Sequence, residues 1–174
     1  VAWQSRKAKL KRRLLEMAGQ LIALAAERQT RPAPQLSPPD GIYGEFSARF
    51  PYDETEDQQN AIDAVIDDLS LGRPMDRLIC GDVGFGKTEV ALRAAFVAVM
   101  GGLQVAVVVP TTLLARQHFK TFSERFAGLP VKVRQASRLV GTKELAETKK
   151  GISDGTVDIV VGTHALLGSA IGFK

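Results

Sequence analysis

The sequence predicts an α/β fold, a parallel sheet covered by helices on both faces and preceded by a long basic helix. Three observations predict it. From residue 50 onward, short apolar runs alternate with segments of helical periodicity. The runs read as near-continuously apolar, as strands buried on both faces do. A glycine-rich loop ending in Lys87-Thr88 stands between one such run and a helical segment, which is the setting of a phosphate-binding loop.

Residues 3–29 read as one helix, with Leu10, Leu14, Met17, Leu21 and Ala25 recurring at steps of three and four beside Ala18 and Ile22. Gly19 is its one interruption. The apolar stripe needs a partner surface. It either packs on its own domain with a solvated basic face, or touches DNA or another partner; the spacing leaves both open. Residues 30–52 contain Pro32, Pro34, Pro38, Pro39 and Pro51 with little periodicity, and read as a linker laid over a surface. Helices are expected over 56–71, 87–100, 113–126 and 143–153. Strands are expected over 77–80, 104–109, 131–135 and 157–161, the second stopped by Pro110. The division is a basic helix (1–31), a Pro-rich linker (32–49) and the α/β unit (50–174). In such a layer, ligands sit beyond the carboxyl ends of the strands.

Composition narrows the function classes. The 174 residues are 45% hydrophobic and 24% charged, enough for a packed core. The net charge is +4, but residues 1–31 hold eight Lys/Arg against Glu16 and Glu27, so that the remainder sums to −2. The basic character belongs to the appendage, not to the α/β unit. Cys80 is the single cysteine, which excludes a disulfide framework and fits a reducing, cytoplasmic setting; it is expected as a small buried hydrophobe. His118 and His164 stand apart without cysteines, against a zinc site. No stretch reads as a membrane span or secretory signal.

The loop Gly81-Asp82-Val83-Gly84-Phe85-Gly86-Lys87-Thr88 fits G-x-x-x-x-G-K-[ST] at every fixed position. A chance match in a chain of this length is on the order of 1 in 200, and the flanking strand and helix patterns reduce that further. Glycines let amide N–H groups face phosphate oxygens. The helix start adds positive potential. Lys87 places a charge on the β- and γ-phosphates, and the Thr88 hydroxyl is a Mg²⁺ ligand. The loop therefore calls for ATP and Mg²⁺. Upstream, Thr55-x-x-Gln58 has two compatible readings: a helix capping box, and an adenine contact by the Gln58 amide with Phe50 stacked on the base. After the second strand, Pro110-Thr111-Thr112 through Gln117-His118 reads as an N-capped helix or as a phosphate contact to a nucleic-acid backbone. Gly162-Thr163-His164 after the last strand follows the same logic.

With these residues in view, the run from 50 to 174 resembles the first motor lobe of the superfamily 2 helicases. Gln58 matches their adenine-reading motif, residues 81–88 their motif I, residues 110–118 motif Ia, and residues 162–164 the motif before the acidic box. More narrowly, residues 75–91 resemble the bacterial transcription-repair coupling factors; the related fork-reversing translocases usually carry Ser where Phe85 stands. The basic helix before the lobe resembles the same family.

The resemblance implies a RecA-like lobe of an ATP-driven translocase on double-stranded DNA, one that displaces stalled RNA polymerase and recruits excision-repair proteins. Contacts to those proteins would lie outside this chain. Implied for the nucleotide are Phe50, Gln58 and Gly81, Asp82, Val83, Gly84, Phe85, Gly86, Lys87 and Thr88, with Lys87 and Thr88 in catalysis. Implied for nucleic acid are Thr111, Thr112, Gln117, Thr163 and His164. The pattern departs from the family in one respect: no Asp-Glu pair stands at a strand end. The chain therefore reads as a fragment that binds nucleotide without hydrolysing it, with an exposed sheet edge that invites self-association or cover. The alternatives are a fork-reversing helicase lobe and a non-hydrolytic binding module.

Overall fold

The computed structural model describes residues 2–168 and 171–174. Three parallel strands, β1 (Val105–Val108), β2 (Val133–Ala136) and β3 (Ile159–Gly162), form one sheet in the order β1-β3-β2. Val105 and Val133 both lie opposite Ile159, and Val108 and Ala136 opposite Gly162. Parallel neighbours need crossover connections. These are α5 (Thr112–Arg125), between β1 and β2, and α6 (Thr142–Asp154), between β2 and β3.

The centre of the sheet explains why β3 is apolar throughout: all four of its residues are buried. Ile159 and Val161 face a core built from Leu92, Ala95 and Phe96 of α4 (Lys87–Met100), Phe122 of α5, Phe126, and Phe46 of α2 (Ile42–Ala48). Val160 turns the other way, to Ala136, Ile152 of α6, Val157 and Leu166. Helices thus cover both faces, as expected. Outside this layer, α3 (Glu56–Ser70) packs Ile62 and Val65 on Val90 of α4.

Two expectations are corrected, and one of the readings left open is narrowed. Residues 77–80 form no strand. A strand needs a ladder partner as well as apolar side chains, and β1 pairs with β3 alone among the described strands. Leu78 is 85% exposed, and Cys80 is exposed rather than buried. Second, residues 32–49 are more than a linker. The amides of Ala33 and Leu36 donate to the carbonyls of Gly72 and Leu69, strapping the segment to the end of α3. Leu36 is buried, and α2 then delivers Phe46, 1% exposed, into the main core, its ring stacked 4.3 Å from that of Phe96.

Of the two readings left open for α1 (Ala2–Thr30), packing of its apolar stripe on the described domain is not observed. Leu10, Leu14, Met17 and Leu21 are all exposed. The helix is tied at its C-terminal end, by the Arg28–Asp76 ion pair and by Arg73, which donates to Gln29 Oε1 at 2.7 Å.

Phe46→Ala is expected to destabilise the fold by about 3–5 kcal/mol, the usual cost of emptying a buried aromatic site. Urea unfolding measures this; a loss below about 1 kcal/mol would return the segment to the status of a surface linker.

Candidate nucleotide and nucleic-acid site

The loop at residues 81–86 runs directly into α4. Gly86 sits at the N-cap with φ 68° and Gly84 has φ 88°, both left-handed. Among the described residues the amides of Gly84 and Gly86 have no protein acceptor. The amides of Lys87 and Thr88, in the first helical turn, have none within the helix. The result is a run of uncommitted backbone donors at the positive end of a helix. Lys87 Nζ donates to the carbonyls of Gly81 and Asp82, each at 2.5 Å, which holds the ammonium over the loop. Val83 and Phe85 project into solvent.

Gln58 closes one side of the loop. Its backbone N–H donates to Thr55 Oγ1, and its Oε1 accepts from the Thr55 amide at 2.9 Å, so that the expected capping box is complete. Gln58 Nε2 donates to the Phe85 carbonyl at 2.8 Å. A Cβ on Gly86 would meet that nitrogen, the movable end of the Gln58 side chain, and would push it aside; the left-handed backbone angle is what favours glycine there. One N–H and one lone pair of the Gln58 amide stay uncommitted. Phe50, however, lines a different cavity, of about 550 Å³, with Gly86, Thr88 and Arg125. Gln58 lines another, with Cys80, Gly81 and Lys87. The two residues expected to grip a base jointly are not brought together over one cavity.

Directly behind the loop lies a buried charge cluster that the sequence reading missed. Glu89 Oε1 accepts from Arg93 Nε at 2.7 Å and from Arg125 Nη2 at 2.6 Å, and Arg93 Nη2 also reaches Glu54. Glu89 and Arg93 are almost fully enclosed. The Arg125 guanidinium lies 4.7 Å from the Phe46 ring centre and 5.8 Å from that of Phe50. Burial pulls Arg125 below the usual arginine value. Glu54 is held below the usual carboxylate range by a backbone hydrogen bond, and after it by the Arg93 guanidinium, against the opposing effect of burial. The signal available in the sequence was Glu89 four residues before Arg93 on an otherwise apolar helix.

At the carboxyl ends of the strands a second cleft opens, of about 490 Å³. Thr112, Thr163 and His164 line it together with Ser137, Arg138 and Lys149. Thr111 instead caps α5, its Oγ1 accepting from the Leu114 amide at 3.2 Å, as the capping reading expects. Gln117 lies on a neighbouring groove with Arg116 and Lys120. Arg138 follows β2 as Thr111 follows β1 and was open to the same strand-end reasoning. Lys149 arrives only through the crossover by α6.

The DEAD/DEAH box helicase family model matches residues 55–172, most of the chain and all of the loop and cleft just described. The chain belongs to the DEAD/DEAH box helicase family. It is 49% identical over 173 residues to the transcription-repair-coupling factor of Myxococcus xanthus, 50% identical to that of Staphylococcus haemolyticus and 48% identical to that of Bacillus subtilis, in each case over 99% of its own length. It spans 14–15% of the length of these relatives. Among solved structures, RecG bound to a three-way DNA junction superposes with a TM-score of 0.80 at 32% identity, over 87% of this chain and 21% of that one. Among the described residues of this DEAD/DEAH box chain, no helix is long and apolar enough to cross a membrane. Among the described residues no group of three or more His, Cys, Asp or Glu is placed to hold a metal ion by itself.

Two measurements probe this geometry. Gly86→Ala should weaken binding of an ATP analogue about tenfold, from strain and displacement of Gln58; fluorescence titration giving wild-type affinity would show that the loop tolerates the side chain. The Glu54 carboxyl, lowered in the fold, contributes stability fully above the ordinary glutamate value of 4.5 and loses it as pH falls through its folded value. The advantage of wild type over Glu54→Gln in urea midpoint should therefore be constant from pH 7 to about pH 5 and shrink by about pH 3.5. An advantage independent of pH would remove Glu54 from the ion-pair cluster.

Proposed function

We propose that this chain is the nucleotide-binding part of an ATP-driven translocase on double-stranded DNA, of the transcription-repair-coupling kind. The observation that carries the reading is the run of uncommitted backbone donors in residues 81–88 at the start of α4, with Lys87 held over it and left-handed glycines at 84 and 86. Lys87 and the loop amides would hold the β- and γ-phosphates of ATP. The Thr88 hydroxyl, with phosphate oxygens, would hold Mg²⁺; that ion supplies charge neutralisation on the transferring phosphoryl group. The uncommitted donor and acceptor of Gln58 suit an adenine edge, and Phe50 would have to shift to reach the same base. Thr112, Thr163, His164, Arg138 and Lys149 suit a DNA backbone, with hydroxyls and cations at strand ends.

The coupling-factor reading is favoured over a branched-DNA helicase because the named coupling-factor relatives stand at 48–50% identity and RecG at 32%. In the whole protein, displacement of stalled RNA polymerase and handover to excision repair would follow from DNA translocation, with those partners held by other parts. Phosphoryl transfer needs a water-positioning group and further cations. Among the described residues no Asp-Glu pair follows a strand, which favours residues 1–174 binding and positioning nucleotide without completing hydrolysis.

In the intact protein, Lys87→Ala should abolish DNA-stimulated ATP hydrolysis, a loss of at least about a hundredfold, with the circular dichroism of the fold preserved. An unchanged rate would refute the role given to Lys87. Residues 1–174 alone should show no steady-state hydrolysis; turnover that disappears with Lys87→Ala would place the whole catalytic set within this chain.

A further inference from the structure

We propose that Arg125 is a positioning residue that couples the triphosphate loop to the nucleic-acid cleft through its ion pair with Glu89. The inference rests on the translocase reading above and names the link within it.

Glu89 directly follows Thr88, in the first turn of α4, and is 3% exposed. A carboxylate buried there requires cations. Two guanidinium groups donate to the same oxygen, but they differ in origin. Arg93 belongs to the same helix, four residues on, and its other contact, Glu54, lies just before α3 and away from α5. Arg125 comes from the last turn of α5, 36 residues away in sequence.

Helix α5 has 14 residues, a length of about 21 Å. Its other end begins at Thr111 and Thr112, and Thr112 lines the cleft with Thr163 and His164. One helix thus has its N-terminus at the proposed DNA contact and its C-terminus bonded to the turn that follows the loop lysine. The same C-terminus is tied to the segment carrying Phe50. Arg49 Nη1 donates to the Arg125 carbonyl at 3.2 Å and to the Ala127 carbonyl at 2.8 Å. A shift of the first turn of α4 is therefore passed to α5 as a rigid body.

The pair also has a second arrangement open to it. Arg125 Nε is buried and has no hydrogen-bond partner among the described residues, and Arg125 walls the cavity that Gly86 and Thr88 share. A guanidinium with a donor in reserve can exchange a one-point for a two-point grip on a carboxylate. A discrete alternative of this kind is what coupling between distant sites needs.

The test uses the full-length protein. DNA dissociation constants are measured with and without a non-hydrolysable ATP analogue and Mg²⁺, and their ratio is the coupling factor. Wild type should show a ratio in the range of about 5–150. Arg125→Gln and Glu89→Gln should each bring it to within about twofold of unity, and the double variant should lose no more than either alone. Arg125→Lys keeps the charge but not the fork, and should give an intermediate ratio. Ile62→Val, at the α3–α4 contact, is the control for general loosening and should keep the wild-type ratio. The proposal is overturned if folded Arg125→Gln couples like wild type, or if Ile62→Val loses coupling equally. If Arg125→Gln does not fold, Arg125→Lys decides: a wild-type ratio there sinks the proposal. A wild type in which the two ligands bind independently would overturn the translocase reading and this link with it, whereas coupled wild type with coupled variants overturns the link alone.

Discussion

Parallel pairing is the constraint on which the rest of this structure depends. Neighbouring parallel strands must be joined by crossovers that return across the sheet, so every strand leaves at the same edge. Here that edge gathers Pro110 and Thr112 after β1, Ser137 and Arg138 after β2, and Thr163 and His164 after β3. No two of these pairs are close in sequence, yet the register opposing Val108, Gly162 and Ala136 puts them in one row. The cleft is a consequence of topology before it is a consequence of any side chain. The buried centre of β3 secures it, since a strand enclosed on both faces cannot slip without exposing its whole apolar set.

The charge cluster behind the loop obeys a different logic. Removing charges from water is costly, and a buried ion pair often adds little net stability over an apolar substitute. What it does provide is a defined geometry. Two guanidinium groups converge on one Glu89 oxygen, and aromatic rings of Phe46 and Phe50 flank Arg125. Apolar packing of the same volume would tolerate many rotations of α4 about its axis; this cluster tolerates few. Phe46 belongs at once to that cluster and to the main core, so residues 32–49 are part of the framework that holds the loop.

Much of this was legible from residue patterns, and the exceptions have physical causes. Helix α4 and strand β3 were plain because their periodicities are long or uninterrupted. The loop was plain because phosphate binding restricts residue type at fixed spacing. Residues 77–80 misled because apolarity reports a wish for burial, not a ladder partner. Helix α2 was hidden by its length of seven residues and by the prolines before it, although Ile42, Tyr43 and Phe46 have helical spacing. The separate cavities of Phe50 and Gln58, the pairing of Glu89 with Arg125, and the arrival of Lys149 in the cleft depend on chain paths that local patterns do not encode.

Gln58 serves two structures with one side chain, closing the capping box of α3 and holding the Phe85 carbonyl of the loop. Fraying at the first turn of α3 and opening of the loop are therefore linked through this one side chain. The start of a helix is ordinarily where local unfolding is cheapest, so the hold on the Phe85 carbonyl is anchored in a turn that opens readily. The amides of Thr55 and Gln58, sequestered only while the box is closed, carry the record of that motion in their exchange with solvent water. A helix cap thereby shares its anchor with the loop of residues 81–86.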